Sequence, residues 1–334
     1  MPTDTTATAA TTVFTLADLP AWDRPGTHLA VLGHPIAHSL SPLMHNAALA
    51  AMSARDPRYR HWRYHRFDIP PADLPRALAL FHEKKFHGLN LTVPHKVIAF
   101  DTLAAITPDA IDPAARPIGA VNTLTRAPRG WRATNTDGHG LAAAIRETLA
   151  LDLAGAHILL LGAGGAARGA AVECLHRRCA TLTIANRTRA NLDALLEQLR
   201  PLADASQIPL RAFEPEPEFK IAQPFLTLPG YTNTAPTGMS VLPSLHPALI
   251  INATSLGLRP TDPSPIDLAA LTPRPLAVFD MIYNPPQTPL LAQAAALRIP
   301  RANGLAMLVH QGARSLEIWT GEKIPVEAMS DALR

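Results

Sequence analysis

A chain of 334 residues, 47 % hydrophobic and 17 % charged, has the composition of an ordinary soluble globular protein and the length for two domains with separate cores. No apolar run approaches the ~20 residues of a membrane helix. A formal net charge of +3 from largely scattered basic residues argues against nucleic acid as the main partner and suits small anionic ligands.

The opening residues, MPTDTTATAATT, hold neither a basic cluster nor an apolar core, so no secretory signal is expected there. The segment through residue 26 reads as a disordered tail. Residues 28–32 then read as a strand, 42–52 as a helix, 60–67 as a strand, 74–85 as a helix and 89–93 as a short strand ahead of a proline. Strands alternating with helices point to a parallel α/β sheet. Near residues 134–138 the chain changes unit, and 141–149 is helical. Residues 157–161 and 181–185 read as strands flanking a helix over 166–175, followed by a helix over 191–199. The proline-rich stretch 201–247, with FEPEPEF and LPGYTNTAPTG, reads as a surface insertion. Residues 249–252 and 277–281 are further strands, and 305–319 and 326–333 are helical. The two cysteines, Cys174 and Cys179, lie in no metal-type cluster and read as reduced, half-buried thiols of a cytoplasmic protein.

The run Gly162-Ala163-Gly164-Gly165-Ala166-Ala167 joins the strand over 157–161 to the next helix. A strand that ends in a glycine turn and enters a helix aims backbone N–H groups and the positive end of the helix dipole at whatever sits above it. The first glycine permits the tight turn, the second lets a ligand approach the backbone, and Ala167 lets helix pack on strand. Strand, turn, helix and next strand stand at the spacing of a dinucleotide-binding unit.

Four polar clusters lie at strand ends or turns, where α/β sheets gather their sites. The first runs from His34 to Pro42. Ser39 or Ser41 alone would serve as a helix cap; two hydroxyls two apart also suit a carboxylate. His34 and His38 have the separation of some metal ligands, but Pro35 and the turn work against a shared face, and no metal is expected. The second cluster is Asn90-Leu91-Thr92-Val93-Pro94-His95-Lys96, where Asn90 and Thr92 fall on one face of a strand. A lysine is ordinarily a solvated surface charge; beside two aligned polar side chains at a strand end, Lys96 is a better acid–base candidate. The third is Gly119-Ala120-Val121-Asn122-Thr123 and the fourth Thr134-Asn135-Thr136-Asp137-Gly138, where Asp137 would also serve as a helix cap.

Taken in order, Ser-Leu-Ser-Pro, Asn-Leu-Thr-Val-Pro-His-Lys, Gly-Ala-Val-Asn-Thr, Asn-Thr-Asp-Gly and Gly-Ala-Gly-Gly-Ala-Ala-Arg closely resemble the shikimate dehydrogenase family. Asn186-Arg187-Thr188, Asn252-Ala253-Thr254-Ser255-Leu256-Gly257, Asp280-Met281-Ile282-Tyr283-Asn284-Pro285 and the run from Asn303 to Gly312 extend the resemblance. It covers residues 28–200 and 248–334.

The resemblance implies an α/β substrate domain over 27–137, completed by returning C-terminal helices over 304–334, and a Rossmann-like dinucleotide-binding domain over 138–303. It implies reversible reduction of 3-dehydroshikimate to shikimate with NADP(H), in the chorismate route to aromatic amino acids. By resemblance Ser39 and Ser41 hold the substrate carboxylate, Asn90, Thr92, Asn122 and Gln311 hold ring hydroxyls with Tyr283 nearby, and Lys96 and Asp137 are the catalytic pair. The cofactor residues carried over are Gly162, Ala163, Gly164, Gly165, Ala166, Asn186, Arg187, Thr188, Thr254, Met281, Gly304 and Met307. An acid at the end of the second strand would bind the 2′-hydroxyl of NAD; Asn186 and Arg187 at that place suit a 2′-phosphate and hence NADP. Asn191 stands where many family members have a second basic residue, with Arg189 close enough to substitute. Quinate or dual quinate/shikimate dehydrogenase is the neighbouring reading, and a non-catalytic NADP-binding regulator the reading from another class. The partners expected are small molecules, with neither nucleic acid nor membrane; a homodimer is left open.

Overall fold

The computed structural model describes residues 12–213 and 248–334. The chain forms two units: one runs to Leu141 and resumes at Leu308, and the other spans Ala142–Met307.

The first unit contains β1 (Phe14–Thr15), β2 (Thr27–Gly33), α1 (Ser41–Ser53), β3 (Trp62–Asp68), α2 (Leu74–Glu83), β4 (Gly88–Leu91), α3 (His95–Ile106), β5 (Thr123–Ala127) and β6 (Gly130–Thr134). Its sheet has the order β1-β3-β2-β4-β5-β6. β2 lies between parallel partners β3 and β4 and is covered on both faces, which is why it reads as a continuous apolar run. Its side chains alternate between two cores. Leu29 and Val31 join Met44, Leu49 and Tyr64 with Leu316 and Trp319 from the end of the chain. Ala30 and Leu32 join Phe67, Phe81, Phe86 and Leu89. The three phenylalanines meet edge to face, with ring centroids 4.8 Å (Phe67–Phe81) and 4.7 Å (Phe81–Phe86) apart.

Two expectations fail in this unit. The tail is ordered from residue 12 onward in the described chain: β1 pairs with β3, and Phe14 and Trp22 are buried against each other at 5.2 Å. Two aromatic anchors outweigh an otherwise small, polar composition. The sheet is mixed rather than parallel, because β4 pairs antiparallel with β5, and β5 with β6 in a hairpin. These two strands are five residues each and half-exposed, and so short an alternation does not reveal them by periodicity alone.

Helix α4 (Asp137–Leu149) leads into the second unit, which holds β7 (His157–Leu161), α5 (Gly165–His176), β8 (Thr181–Ala185), α6 (Arg189–Ser206), β9 (Leu210–Ala212), β10 (Leu249–Asn252), β11 (Ala277–Asp280), α7 (Pro289–Ala296) and β12 (Arg301–Ala302). All neighbours in the order β12-β11-β10-β7-β8-β9 are parallel, so the direction of winding reverses between β7 and β10. In such sheets ligands bind over the carboxyl ends of the strands at that reversal. Cys174 and Cys179 are fully buried rather than half-buried; burial pushes the Cys174 thiol well up and Cys179 up to about 12. The expected insertion also begins too early. α6 continues through Pro201 because Leu192, Leu195, Leu196, Leu199 and Ala203 keep its apolar stripe buried, and β9 follows. Residues 214–247 of that insertion lie outside the described residues.

The chain ends in α8 (Leu305–Thr320) and α9 (Val326–Asp331). Val309, Ala313, Leu316, Trp319 and Met329 pack on the Leu29/Val31 face of the first sheet. No described helix is long and apolar enough to cross a membrane.

Two buried histidines tie stability to pH. His65 bonds the ring of His28 at 3.0 Å among Phe14, Trp22 and Phe86, and His45 stacks on Tyr64 at 4.0 Å. Loss of hydration lowers His65 from 6.5 to about 3 and His45 from 6.5 to about 4, although backbone acceptors partly oppose the shift at His45. The unfolded chain therefore binds protons that the folded chain refuses. Stability is fully present above the unfolded value and declines as pH falls from 6.5 towards 4, by up to about 1.4 kcal/mol per pH unit for each ring. Denaturant unfolding at a series of pH values should show this slope, and His65→Phe should make it shallower.

Candidate active site

In the first unit the sheet brings three of the polar clusters into register. The N–H of Leu91, at the end of β4, donates to the carbonyl of Asn122 at 2.8 Å, and the N–H of Val121 to the carbonyl of Lys96 at 3.0 Å. The β5–β6 hairpin closes the third side, the Asn122 N–H donating to the Thr134 carbonyl at 3.0 Å. Clusters separated by some 30 residues of sequence thus share one sheet edge, with Lys96 in the first turn of α3 and Asp137 in the first turn of α4.

Lys96 Nζ donates to Asp137 Oδ2 at 2.6 Å, and the Asn122 amide donates to Asp137 Oδ1 at 2.9 Å. Both carboxylate oxygens are thereby held in place. The pair remains solvent-accessible, with 28 % of the Lys96 side chain and 20 % of the Asp137 side chain exposed. An ammonium with one proton directed at a carboxylate retains two more for an incoming oxygen. The Asn122 amide also reaches Gln311 Oε1 at 3.3 Å, so Lys96, Asp137, Asn122 and Gln311 form one polar group.

Asn90 is turned inward. Its oxygen accepts from Tyr64 Oη at 2.7 Å and its amide donates to the Asn122 carbonyl, Thr123 Oγ1 and Ser315 Oγ at 3.1, 3.2 and 2.9 Å. Burial pushes the Tyr64 phenol well up. Ser39 Oγ accepts from the Ser41 N–H at 3.3 Å. Thr92 lies one residue beyond β4, but its N–H continues the ladder to the Leu32 carbonyl at 3.0 Å and its methyl lies over Gly33 as Asn90 lies beside Val31, so it keeps the strand face of Asn90. His34 Nδ1 is bonded to Asp68 at 2.5 Å rather than directed at His38.

Tyr64, Thr123, Thr136 and Ser315 are site-building residues that sequence reasoning did not single out for a role. Ser315 Oγ is completely buried, contacts Asn90, Thr123 and Thr136, and donates to the Gln311 carbonyl at 3.0 Å. Its one legible signal is its place one helical turn after Gln311 on α8.

In the second unit, Gly162 closes β7 with φ +113, and a Cβ there would meet the Ala253 carbonyl oxygen at 3.0 Å. Only glycine fits both the conformation and the approach. Gly164, Gly165 and Ala166 are exposed at the start of α5, with open space above both glycines, and Ala167 is buried beneath. The turn therefore presents an uncovered helix N-terminus suited to a phosphate. Asn186 and Arg187 follow the last residue of β8; the Asn186 amide closes the turn on the Thr188 carbonyl at 2.9 Å, and Arg187 and Thr188 are exposed. Arg189 does not fill the vacant basic position freely, since its Nε reaches along the helix to Asp193 Oδ1 at 2.8 Å. Thr254 follows β10, and Met281 and Tyr283 follow β11, where burial pushes the Tyr283 phenol up. Gly304 donates to the Ile282 carbonyl at 3.1 Å, and Met307 is buried at the start of α8.

Family models match three stretches: the shikimate dehydrogenase substrate binding domain over residues 31–124, shikimate / quinate 5-dehydrogenase over 142–212, and the shikimate 5'-dehydrogenase C-terminal domain over 304–334. The NADP(+) shikimate dehydrogenase of Symbiobacterium thermophilum is 37 % identical over 311 residues, 92 % of this chain and 94 % of that protein. That of Geobacter metallireducens is 37 % identical over 297 residues, 89 % of this chain and 92 % of that protein. Among solved structures, Thermus thermophilus shikimate 5-dehydrogenase in complex with NADP(H) and shikimate is 30 % identical with a TM-score of 0.69, covering 92 % of this chain and 98 % of that one. The 5-ketofructose reductase of a Gluconobacter strain is 29 % identical with a TM-score of 0.73, covering 93 % and 99 %. With ordered motifs, a shared fold and relatives of this identity across nearly the whole chain, the protein belongs to the shikimate dehydrogenase family.

Proposed function

We propose that this enzyme reduces 3-dehydroshikimate to shikimate with NADPH, and runs the reverse oxidation with NADP, in the cytoplasmic supply of chorismate. The observation that carries the reading is the Lys96–Asp137 contact of 2.6 Å, with both carboxylate oxygens held and the ammonium open to solvent. Hydride transfer to a ring carbonyl builds negative charge on its oxygen, which requires a positioned cation and a proton at that atom. Lys96 supplies both, and Asp137 holds it in place and bonds the same hydroxyl. Asn122 and Gln311 bind neighbouring ring hydroxyls, and Ser39 and Ser41 take the carboxylate at the start of α1. Asn90 acts from within the network by fixing Asn122 and Tyr64.

In the second unit the dinucleotide pyrophosphate sits over the turn Gly162–Ala166, with Thr254, Met281, Gly304 and Met307 around the remainder of the cofactor. The nicotinamide supplies the hydride, and the protein supplies orientation. Arg187 with Asn186 and Thr188 takes the 2′-phosphate. With Arg189 engaged by Asp193, the preference for NADP over NAD rests mainly on Arg187.

Turnover of shikimate and of quinate, each with NADP and NAD, tests the reading; shikimate with NADP should be the fastest combination. Quinate turned over equally well would make the enzyme dual, and turnover of neither acid would leave a dinucleotide-binding regulator. Lys96→Ala should lower kcat by about 10²–10⁴-fold while NADP still binds; near-normal turnover would remove Lys96 from the chemistry. Arg187→Ala should raise the KM for NADP about tenfold or more and leave that for NAD nearly unchanged. An equal loss with both cofactors would overturn the assignment of the 2′-phosphate.

A further inference from the structure

Asp280, the last residue of β11, is a completely buried carboxylate outside the proposed catalytic and cofactor-contacting set. Every bond it makes is one it accepts. Its Oδ1 takes the Asn252 amide at 3.0 Å and the Ile282 N–H at 3.1 Å, and its Oδ2 takes the Thr288 hydroxyl at 2.6 Å. Burial pushes this carboxyl up from its ordinary value, and those three donors oppose the shift. An isolated carboxylate in this place would be costly; one enclosed by donors from a strand end, a loop and a helix cap holds those segments together.

One of the segments it joins, the end of β10, lies at the switch point of the sheet. Asn252, bonded by its amide to Asp280, uses its oxygen to accept from the Thr254 N–H at 3.1 Å and hydroxyl at 2.8 Å. The segment so fixed, Ala253–Thr254, lies directly against Gly162, the first residue of the glycine turn. On the other side, the Met281 N–H donates to the Asn252 carbonyl at 3.0 Å, and Gly304 approaches so closely that a Cβ would stand 2.1 Å from the Met281 carbonyl oxygen. Thr288, held by Asp280, caps α7 through the Leu291 N–H at 3.3 Å. One carboxylate thus connects the ends of β10 and β11 to the cap of α7, and through Ala253–Thr254 to the wall of the glycine turn.

We propose that Asp280 is a positioning residue for the dinucleotide, acting through Asn252 and Thr254 without touching the cofactor itself. This rests on the reading of the second unit as an NADP site. Removing the carboxylate leaves the Ile282 N–H and the Thr288 hydroxyl buried without their acceptor and the Asn252 amide with only the long contact of 3.5 Å to the Leu256 carbonyl, and Ala253–Thr254 is free to shift against Gly162. Binding of cofactor weakens, while the polar group around Lys96 in the first unit is untouched.

The test measures NADPH binding by fluorescence titration without substrate, together with steady-state kinetics, on wild type, Asp280→Ala, Asp280→Asn and Asn252→Ala. Asp280→Ala should raise the NADPH dissociation constant and the NADP KM at least tenfold, with the shikimate KM within twofold and kcat within about threefold of wild type. Asp280→Asn retains an oxygen for Asn252 and Ile282 and should restore binding to within about threefold. Asn252→Ala should weaken cofactor binding as Asp280→Ala does, and it decides the matter if Asp280→Ala fails to fold. Wild type that binds NADPH beside an Asp280→Ala or Asn252→Ala enzyme that binds it equally well overturns the positioning role alone. An equal fall in shikimate and NADP binding would overturn it in favour of a general structural role. Wild type that binds no dinucleotide overturns the NADP reading itself, and this role with it.

Discussion

The polar cluster around Ser315 is the constraint on which the first unit depends. Asn90, Asn122, Thr123, Thr136 and Ser315 are all buried, and each buried polar atom left without a partner costs about 1–3 kcal/mol. The cluster answers this by bonding its members to one another across β4, β5, the chain entering α4 and the face of α8. Such a network has few satisfactory arrangements, so satisfying it also orients its outermost member. That member is Asn122, whose amide points at Asp137 and Gln311. The solvent-accessible pair of Lys96 and Asp137 is therefore placed by side chains that never meet water.

The second unit solves a different problem with different means. Its exposed surface at Gly164–Ala166 offers backbone N–H groups rather than side chains, so its precision comes from where the backbone runs. The Gly162 turn has little freedom because Ala253 stands against it, and Ala253 in turn follows Asn252. Small residues permit close approach, and a single buried carboxylate ties together the loops that do the approaching. The two units thus hold their candidate site groups through internal hydrogen-bond networks of opposite kind: neutral hydroxyls and amides in one, a buried acid in the other.

The parts of the fold that were legible in the chain are those whose local signal is strong and whose context is regular. The strands over 157–161 and 181–185 coincide with β7 and β8, since short apolar runs bounded by glycine or polar turns fit buried parallel strands. The antiparallel β5–β6 hairpin was missed, because two short strands with exposed arginines and only a few apolar residues carry little hydrophobic pattern. The ordered segment at Phe14–Trp22 was missed because its stability comes from distant rings on β3 and beyond Glu83, not from its neighbours in sequence. α6 passes the proline at 201 because a buried leucine stripe exceeds the cost of one lost backbone bond.

The candidate site divides the same way. Sequence by itself marked the candidates, with Lys96, Asp137, Asn122 and the glycine turn standing out by side-chain type and local spacing and Gln311 entering through the resemblance, and it determined the family. Tertiary structure alone decided which of them touch. Asn90 and Thr92 share a strand face, yet Asn90 is drawn inward by Tyr64 and Ser315 while Thr92 lies against Gly33. Ser315 stands in no motif, and Asp280 opens one that assigns it no role; their importance lies in the partners that burial gives them, from β4, β5 and the chain entering α4 for Ser315 and from the end of β10 and the cap of α7 for Asp280. The physical reason is that composition and periodicity report what a residue prefers locally, whereas the pairing of buried polar atoms is settled only when distant elements have closed around them and water has left.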